Sequence, residues 1–291
     1  MPELPEVETI SRQLKEKVVG LNIEDVKVTK SRLFVGNPKD IIDAKIEDVR
    51  RRAKQIIVDL KPIPHLRGGG GLHLFIHLKM TGQLIYSDKK GQFGGGHPVP
   101  PFNTEMPNKY TYITFDLSDG SKLYYNDLRQ FGWIKILDDK QLEKELSKFG
   151  PEPLLKNFTI EQLKSNLLAH KRLKIKPTLM DQSVVAGIGN IYASEVCFRA
   201  GILPDRKIES LLDDDFKNIY DAIKEVLSLA IKYKGTSADS YVTLEGKKGE
   251  YYSKLWVYGR TGELCPKKCG GKVKKVMMGG RGTFFCESCQ K

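Results

Sequence analysis

A chain of 291 residues with 40% hydrophobic and 29% charged residues, 27 glycines and 14 prolines can bury one large core or two packed ones, which excludes a disordered or collagen-like chain. No stretch reaches the ~18 to 20 apolar residues of a membrane span, and the acidic start Met-Pro-Glu-Leu-Pro-Glu-Val-Glu lacks the basic and apolar regions of a signal peptide, so the expectation is a cytoplasmic protein. The net charge of +12 asks for a polyanionic partner, and two thirds of it lies in the last 46 residues, which hold 11 basic and 3 acidic groups.

From the N-terminus, Val7, Ile10, Leu14 and Val18 recur at helical spacing, with Pro5 suited to a first turn and Gly20 to the position after the last, so a helix is predicted over 5–20. Pro2 and Glu3 then stand just before a helix N-terminus, where the macrodipole disfavours an ammonium and favours a carboxylate. Removal of Met1 would expose a secondary amine. An α-amino group has a reference pKa near ~8 against ~10.4 for lysine, so more of it is nucleophilic at neutral pH, although Glu3 and Glu6 push the other way. An amine beside carboxylates is equipment for imine chemistry with proton transfer.

Short β-type runs follow at 23–28, 55–60, 72–78, 110–117, 122–126 and 133–137, which read as a β-sandwich or barrel-like domain. Residues 68–71 and 91–107 interrupt them and read as exposed loops. His73 and His77 share one strand and, with no carboxylate or cysteine beside them in sequence, are expected to be ordinary packed or surface histidines. Phe149-Gly-Pro-Glu-Pro is a stiff, helix-breaking stretch suited to an interdomain hinge over 150–158. Beyond it, helices are expected near 159–170, 178–186, 190–199 and 208–234. Gly187-Ile-Gly-Asn190 joins two of them through a turn whose amides could approach a phosphate or could simply form a packing corner.

Four of the five cysteines form Cys265-x3-Cys269 and Cys286-x2-Cys289, 16 residues apart, the spacing of a four-thiolate zinc ribbon. Two disulfides are the alternative, disfavoured in a reducing compartment. Gly279-Gly-Arg-Gly282 lies between two extended stretches and predicts a hairpin with Arg281 at its tip, while Cys197 reads as a small buried helix residue.

Pro2-Glu-Leu-Pro-Glu-Val-Glu-Thr, Met180-Asp-Gln-Ser-Val-Val-Ala-Gly-Ile-Gly-Asn-Ile-Tyr-Ala-Ser-Glu, Val257-Tyr-Gly-Arg and Thr283-Phe-Phe-Cys-Glu-Ser-Cys-Gln occur in that order over almost the whole chain, and together they resemble the formamidopyrimidine-DNA glycosylase family. The resemblance implies an α+β protein: an N-terminal catalytic β-sandwich domain with flanking helices (1–149), a helical domain with a helix–two-turns–helix motif (159–245), and a zinc-finger β-hairpin holding one structural zinc (246–291). It further implies a monomer acting on double-stranded damaged DNA, associated with the nucleoid, that excises oxidised purines and nicks the strand.

Residue by residue, the resemblance makes Pro2 the nucleophile at C1′, Glu3 its acid/base partner, and Lys54 a contact to phosphate and lesion, where an isolated reading would leave an exposed strand lysine. Lys176, Asn190, Arg260 and Arg281 become DNA-backbone contacts. Met80, Arg129 and Phe131 become the wedge that fills the gap left by an extruded base; without the resemblance Met80 and Phe131 read as core residues. Residues 235–252, Tyr241 among them, correspond to a loop over the extruded base. Departures from the family pattern are the three-residue spacing of the first cysteine pair, Leu128 and Gln130 where proline and arginine are common, Tyr110 and Tyr112 in place of histidines, and the 91–107 insertion. Leu4 favours purine lesions over the oxidised pyrimidines of the sister endonuclease VIII group; a non-catalytic zinc-ribbon DNA-binding protein is the third reading.

Overall fold

The computed structural model describes residues 1–61, 71–96, 105–236, 243–244 and 249–291. These fall into two compact units, Met1–Ser147 with Lys234–Glu250, and Lys148–Tyr233 with Tyr251–Lys291. Residues 234–250, divided from sequence between the helical domain (to 245) and the finger segment (from 246), group with the first unit, and residues 251–291 group with the helices.

In the first unit α1 spans Leu4–Val18 and buries the four apolar residues that its periodicity singles out, Val7, Ile10, Leu14 and Val18, each at most 1% exposed. Gly20 follows in a left-handed conformation (φ 93°) and donates its N–H to the Ile46 carbonyl at 2.9 Å. The strands are β1 (Ile23–Val28), β2 (Phe34–Val35), β3 (Ile46–Arg52), β4 (Gln55–Leu60), β5 (Leu72–His77), β6 (Gly82–Asp88), β7 (Gly91–Gly96), β8 (Thr111–Leu117), β9 (Lys122–Asp127) and β10 (Trp133–Asp138). Among the described residues they form two five-stranded sheets, ordered β1-β8-β9-β6-β7 and β2-β10-β5-β4-β3. Phe34, Leu74 and Ile76 of one sheet share a core with Leu84, Ile113 and Phe115 of the other, the Phe34 and Phe115 rings lying 6.5 Å apart. Burying each such side chain contributes about 1.5–3 kcal/mol, so the shared interior makes the two sheets a sandwich. Helix α2 (Asp139–Leu146) closes the second sheet, capped by an Asp138 carboxylate that accepts the Gln141 N–H at 2.8 Å.

The expected loop at 91–107 is in part a strand. Gly91–Gly96 pairs antiparallel with β6 although it lacks β-branched residues, because its glycines admit close neighbours: a Cβ at Gly95 would lie 2.9 Å from Ile10 Cγ1. Residues 97–104 of that stretch, and 68–70 of the other expected loop, lie outside the described residues.

The second unit holds α3 (Ile160–Leu168), α4 (Ile175–Leu179), α5 (Asn190–Ala200), α6 (Asp213–Lys232) and the hairpin β11 (Lys274–Met278)–β12 (Arg281–Phe285). The helix expected over 178–186 does not form. Asp181 accepts from the Ser183 N–H and hydroxyl at 2.9 and 2.7 Å, and the Gln182 amide accepts from Gly187 N–H and donates to the Ile188 carbonyl, so side chains satisfy the backbone in two successive turns instead. Gly150 packs onto those turns, its N–H donating to the Gln182 carbonyl at 2.8 Å, and a Cβ there would meet the Ser183 carbonyl oxygen. The finger shares a small core with α5 through Phe198, Val257, Val273 and Phe284.

His73 is not without acids. Its Nδ1 meets Asp59 at 2.6 Å and its Nε2 meets Asp139 at 3.0 Å, because β4 and the α2 N-terminus flank β5, a pairing that only the fold creates. Hydrogen bonding to Asp59, against a desolvation penalty and with help from Asp139, raises the His73 pKa. Burial pushes Asp59 up, but His73 and Arg50 outweigh it and leave it lowered; His73 likewise lowers Asp139. The imidazolium's contribution to stability is therefore full below pH ~6.5 and fades as pH rises through the raised value, whereas the carboxylates' contribution fades in acid. His73→Gln is expected to lower Tm more at pH 6 than at pH 8.5, measured by thermal unfolding at both; an equal loss would contradict the charged triad.

Candidate functional site

The first unit builds its site at the start of α1. Pro2 and Glu3 are buried, and Glu3 caps the helix in an extended conformation (φ −102°). Glu6, 1% exposed, accepts the Glu3 N–H through Oε2 at 2.9 Å and the Thr236 N–H through Oε1 at 2.8 Å. One carboxylate thus fixes both the residue after Pro2 and the chain entering residues 237–242. That second partner needs glycine beside it: Gly235 has φ 83°, and a Cβ on it would lie 2.8 Å from Glu6 Oε1. Two turns along the same helix, Gln13 Oε1 accepts the Leu244 N–H at 2.7 Å. Tyr241, together with 237–242 and 245–248, lies outside the described residues.

Lys54 is 5% exposed, not the exposed strand lysine of an isolated reading. It occupies the two-residue turn between β3 and β4, strands that pack against α1. Its charge is felt at His77, 7% exposed, whose pKa is held down to about 3 by burial, then by Lys79 and Lys54. His77 is therefore neutral; its Nδ1 accepts the Lys79 N–H at 3.0 Å, which leaves the hydrogen on Nε2. Sequence pattern assigns His77 no role beyond packing, and only the fold reveals its neighbour.

Met80 and Phe131 are not core residues: they are 40% and 54% exposed. The Arg129 N–H donates to Thr81 Oγ1 at 2.9 Å, which sets the Met80 turn beside the 128–132 loop, and the Arg129 guanidinium lies 4.7 Å above the Phe131 ring. Asp127, fully buried, accepts from Thr81 and from the Gly132 N–H at 2.7 Å, while Gly132 is forced by the Tyr125 hydroxyl and the His77 carbonyl, into which any Cβ would run. Two family departures meet here: Gln130, at φ 55°, donates to the Tyr112 hydroxyl at 2.8 Å and accepts from Arg32.

In the second unit Lys176 is 1% exposed, with its Nζ 2.6 Å from Asn190 Oδ1. Asn190 opens α5 after Gly187 and Gly189, and its Nδ2 donates to the Gly282 carbonyl at 3.1 Å, next to exposed Arg281 at the start of β12. Lys176, Asn190 and the finger strand form one cluster in which the lysine orients the amide. Arg260 bonds Glu263 Oε2 through Nε at 2.8 Å and the Leu255 carbonyl through Nη1 at 3.1 Å, bracing its own loop. Sequence reading overlooks Glu195. Fully buried on α5, it accepts the N–H groups of Trp256, Val257 and Tyr258 at 2.7 to 3.0 Å; burial raises its pKa against those three donors. Cys197 is the inert buried thiol expected, pushed up to about 12 by burial.

The Sγ atoms of Cys265, Cys269, Cys286 and Cys289 lie within 4.8 Å of one another, with the Cys265–Cys289 and Cys269–Cys286 pairs at 3.6 Å. Tetrahedral zinc at ~2.3 Å from each sulfur requires edges near ~3.8 Å, so the set fits one zinc, the longer first knuckle included.

Three family models match the chain: the formamidopyrimidine-DNA glycosylase N-terminal domain over residues 1–134, the H2TH domain of the same glycosylase over 149–241, and a zinc finger found in that glycosylase and in IleRS over 262–291. The chain belongs to the formamidopyrimidine-DNA glycosylase family. The formamidopyrimidine-DNA glycosylase of Heliobacterium modesticaldum is 40% identical with full coverage of both chains, and that of Pelotomaculum thermopropionicum is 38% identical over 100% of this chain and 99% of its own. Among solved structures, a Lactococcus lactis family member in complex with DNA containing Fapy-dG superposes with a TM-score of 0.84 at 32% identity, both chains fully covered. A complex of the Lactococcus enzyme with DNA containing an abasic site gives 0.84 at 31%, covering 99% of each chain. As in the family, the finger carries one structural zinc. Removing it with a chelator is expected to release one metal per chain and to deprotect the amides of 264–290 in hydrogen exchange, with those of β4 and β5 unchanged; retained protection would contradict a structural zinc.

Proposed function

We propose that this chain is a bifunctional glycosylase and abasic-site lyase of base excision repair, acting on oxidised purines such as 8-oxoguanine and formamidopyrimidines in double-stranded DNA. The observation that carries the reading is the buried pair Pro2–Glu3 at the N-terminus of α1, fixed through Glu6, on a helix that packs against the two strands joined by the turn of the buried Lys54. Family membership supports it, as do the lesions in the DNA bound by the Lactococcus relatives.

With Met1 removed, the Pro2 nitrogen attacks C1′ of the damaged nucleotide; the C1′–N bond breaks and the base leaves with a proton supplied by an acid, Glu3 or water. The C1′–O4′ bond then opens, O4′ taking up a proton and the proline nitrogen having lost its hydrogen, and the iminium so formed acidifies the C2′ hydrogen. Its loss expels the 3′ phosphate, and a second elimination expels the 5′ phosphate, leaving the sugar fragment on the enzyme until water releases it. A base within a duplex must first leave the stack, and in this reading the exposed Met80 and Phe131 with Arg129 would fill the gap: apolar surface would offset the few kcal/mol of unstacking, and the guanidinium would bond the orphaned partner. Asn190, held by Lys176, and Arg281 would take backbone phosphates, with binding that weakens steeply with salt.

Borohydride added to protein and an 8-oxoguanine duplex is expected to trap a covalent adduct. Pro2→Gly should lose most of it, and Glu3→Gln should slow base release about 100-fold or more. A thymine glycol duplex cleaved faster would move the substrate to oxidised pyrimidines, and absence of any adduct, on an abasic duplex as well, would leave a non-catalytic binder.

A further inference from the structure

The turn that carries Lys54 is held from outside by an ion pair with no part in the chemistry above. Arg51, near the end of β3, has a side chain only 9% exposed; its Nε lies 2.7 Å from Glu8 Oε2 on α1, and its Nη1 donates to the Ala53 carbonyl at 3.0 Å. Ala53 is fully buried and left-handed, φ 52°, which a residue with a Cβ adopts at a cost of about 1–2 kcal/mol. A strained residue persists where its surroundings over-determine it, and here the guanidinium on its carbonyl does so. The outer arm of the pair, Glu8 with Arg12 at 2.6 Å, is a surface contact whose arginine is 64% exposed, and it contributes little.

We propose that Glu8 and Arg51 are positioning residues for the base-excision step: they tie the Ala53–Lys54 turn to α1, the helix that carries Pro2 and Glu3 at its start, and so set where the lysine stands relative to the attacking amine. This rests on the function proposed above. Glu8 lies five residues beyond Glu3, about 7.5 Å along the helix, and Lys54 follows directly after the carbonyl that Arg51 grips, so helix and turn form one frame. A displacement of an ångström at such a site is worth about tenfold to a hundredfold in rate.

The test is a double-mutant cycle read by single-turnover excision of 8-oxoguanine well below Tm, with duplex Kd measured alongside. Arg51→Gln and Glu8→Gln are expected to slow excision about tenfold with Kd within about twofold, and to have less than about twofold effect in a Lys54→Ala background. Ala53→Gly, which relieves the left-handed strain and loosens the turn, should slow excision without lowering Tm and guards against misfolding of the charge variants. Equal losses in both backgrounds, or an unchanged rate in the Lys54 parent, overturn the proposal while wild-type activity leaves the functional reading standing; wild-type protein that releases no base overturns both.

Discussion

Two backbone amides 233 positions apart in the chain, those of Glu3 and Thr236, converge on one buried carboxylate, that of Glu6. A buried acid without donors would be expensive, so the contact holds only while both the Glu3 and the Thr236 N–H are presented to it. The start of the polypeptide, ordinarily the place where chains fray, is thereby made part of the interior. The proposed reaction depends on this, because a nucleophile at residue 2 that wandered would gain nothing from the groups around it. Helix α1 extends the same logic along its length: Glu8 pairs with Arg51, whose guanidinium holds the Ala53 carbonyl, Gln13 takes the amide of Leu244, and its apolar face seals the sandwich.

The second unit uses the same device with different residues. Glu195 accepts three consecutive amides from the segment that leads into the finger, and Lys176 holds Asn190 against the finger strand. Zinc then does for the last residues what a large core does elsewhere, since the hairpin alone buries little. Arg281 is exposed at the tip of the finger hairpin, whereas Arg260 is bonded to Glu263 and to main-chain carbonyls.

Local pattern was legible wherever one residue type decides local geometry. Helical spacing located α1 within two residues at each end, the paired cysteines located the finger, and alternation located six strands of the sandwich. It failed where long-range packing or side-chain competition wins: Gly91–Gly96 is a strand only because β6 and Ile10 are there to receive it, and 181–186 is not helical because Asp181, Gln182 and Ser183 bond the backbone themselves. The candidate site divides in the same way. The cysteines were readable as a metal site and Pro2 and Glu3 as the start of a helix, whereas the burial of Lys54, the acids around His73 and the clamp by Glu195 arise from residues far apart in sequence, and no one-dimensional spacing encodes them.

The central claim is that the secondary amine at residue 2 is the atom that joins sugar. Digesting the borohydride-reduced adduct and sequencing its peptides by mass spectrometry tests it most directly. The account predicts a chain that begins at Pro2, with the reduced sugar on the proline nitrogen. A modified lysine side chain, or full activity from chains that retain Met1, would contradict it.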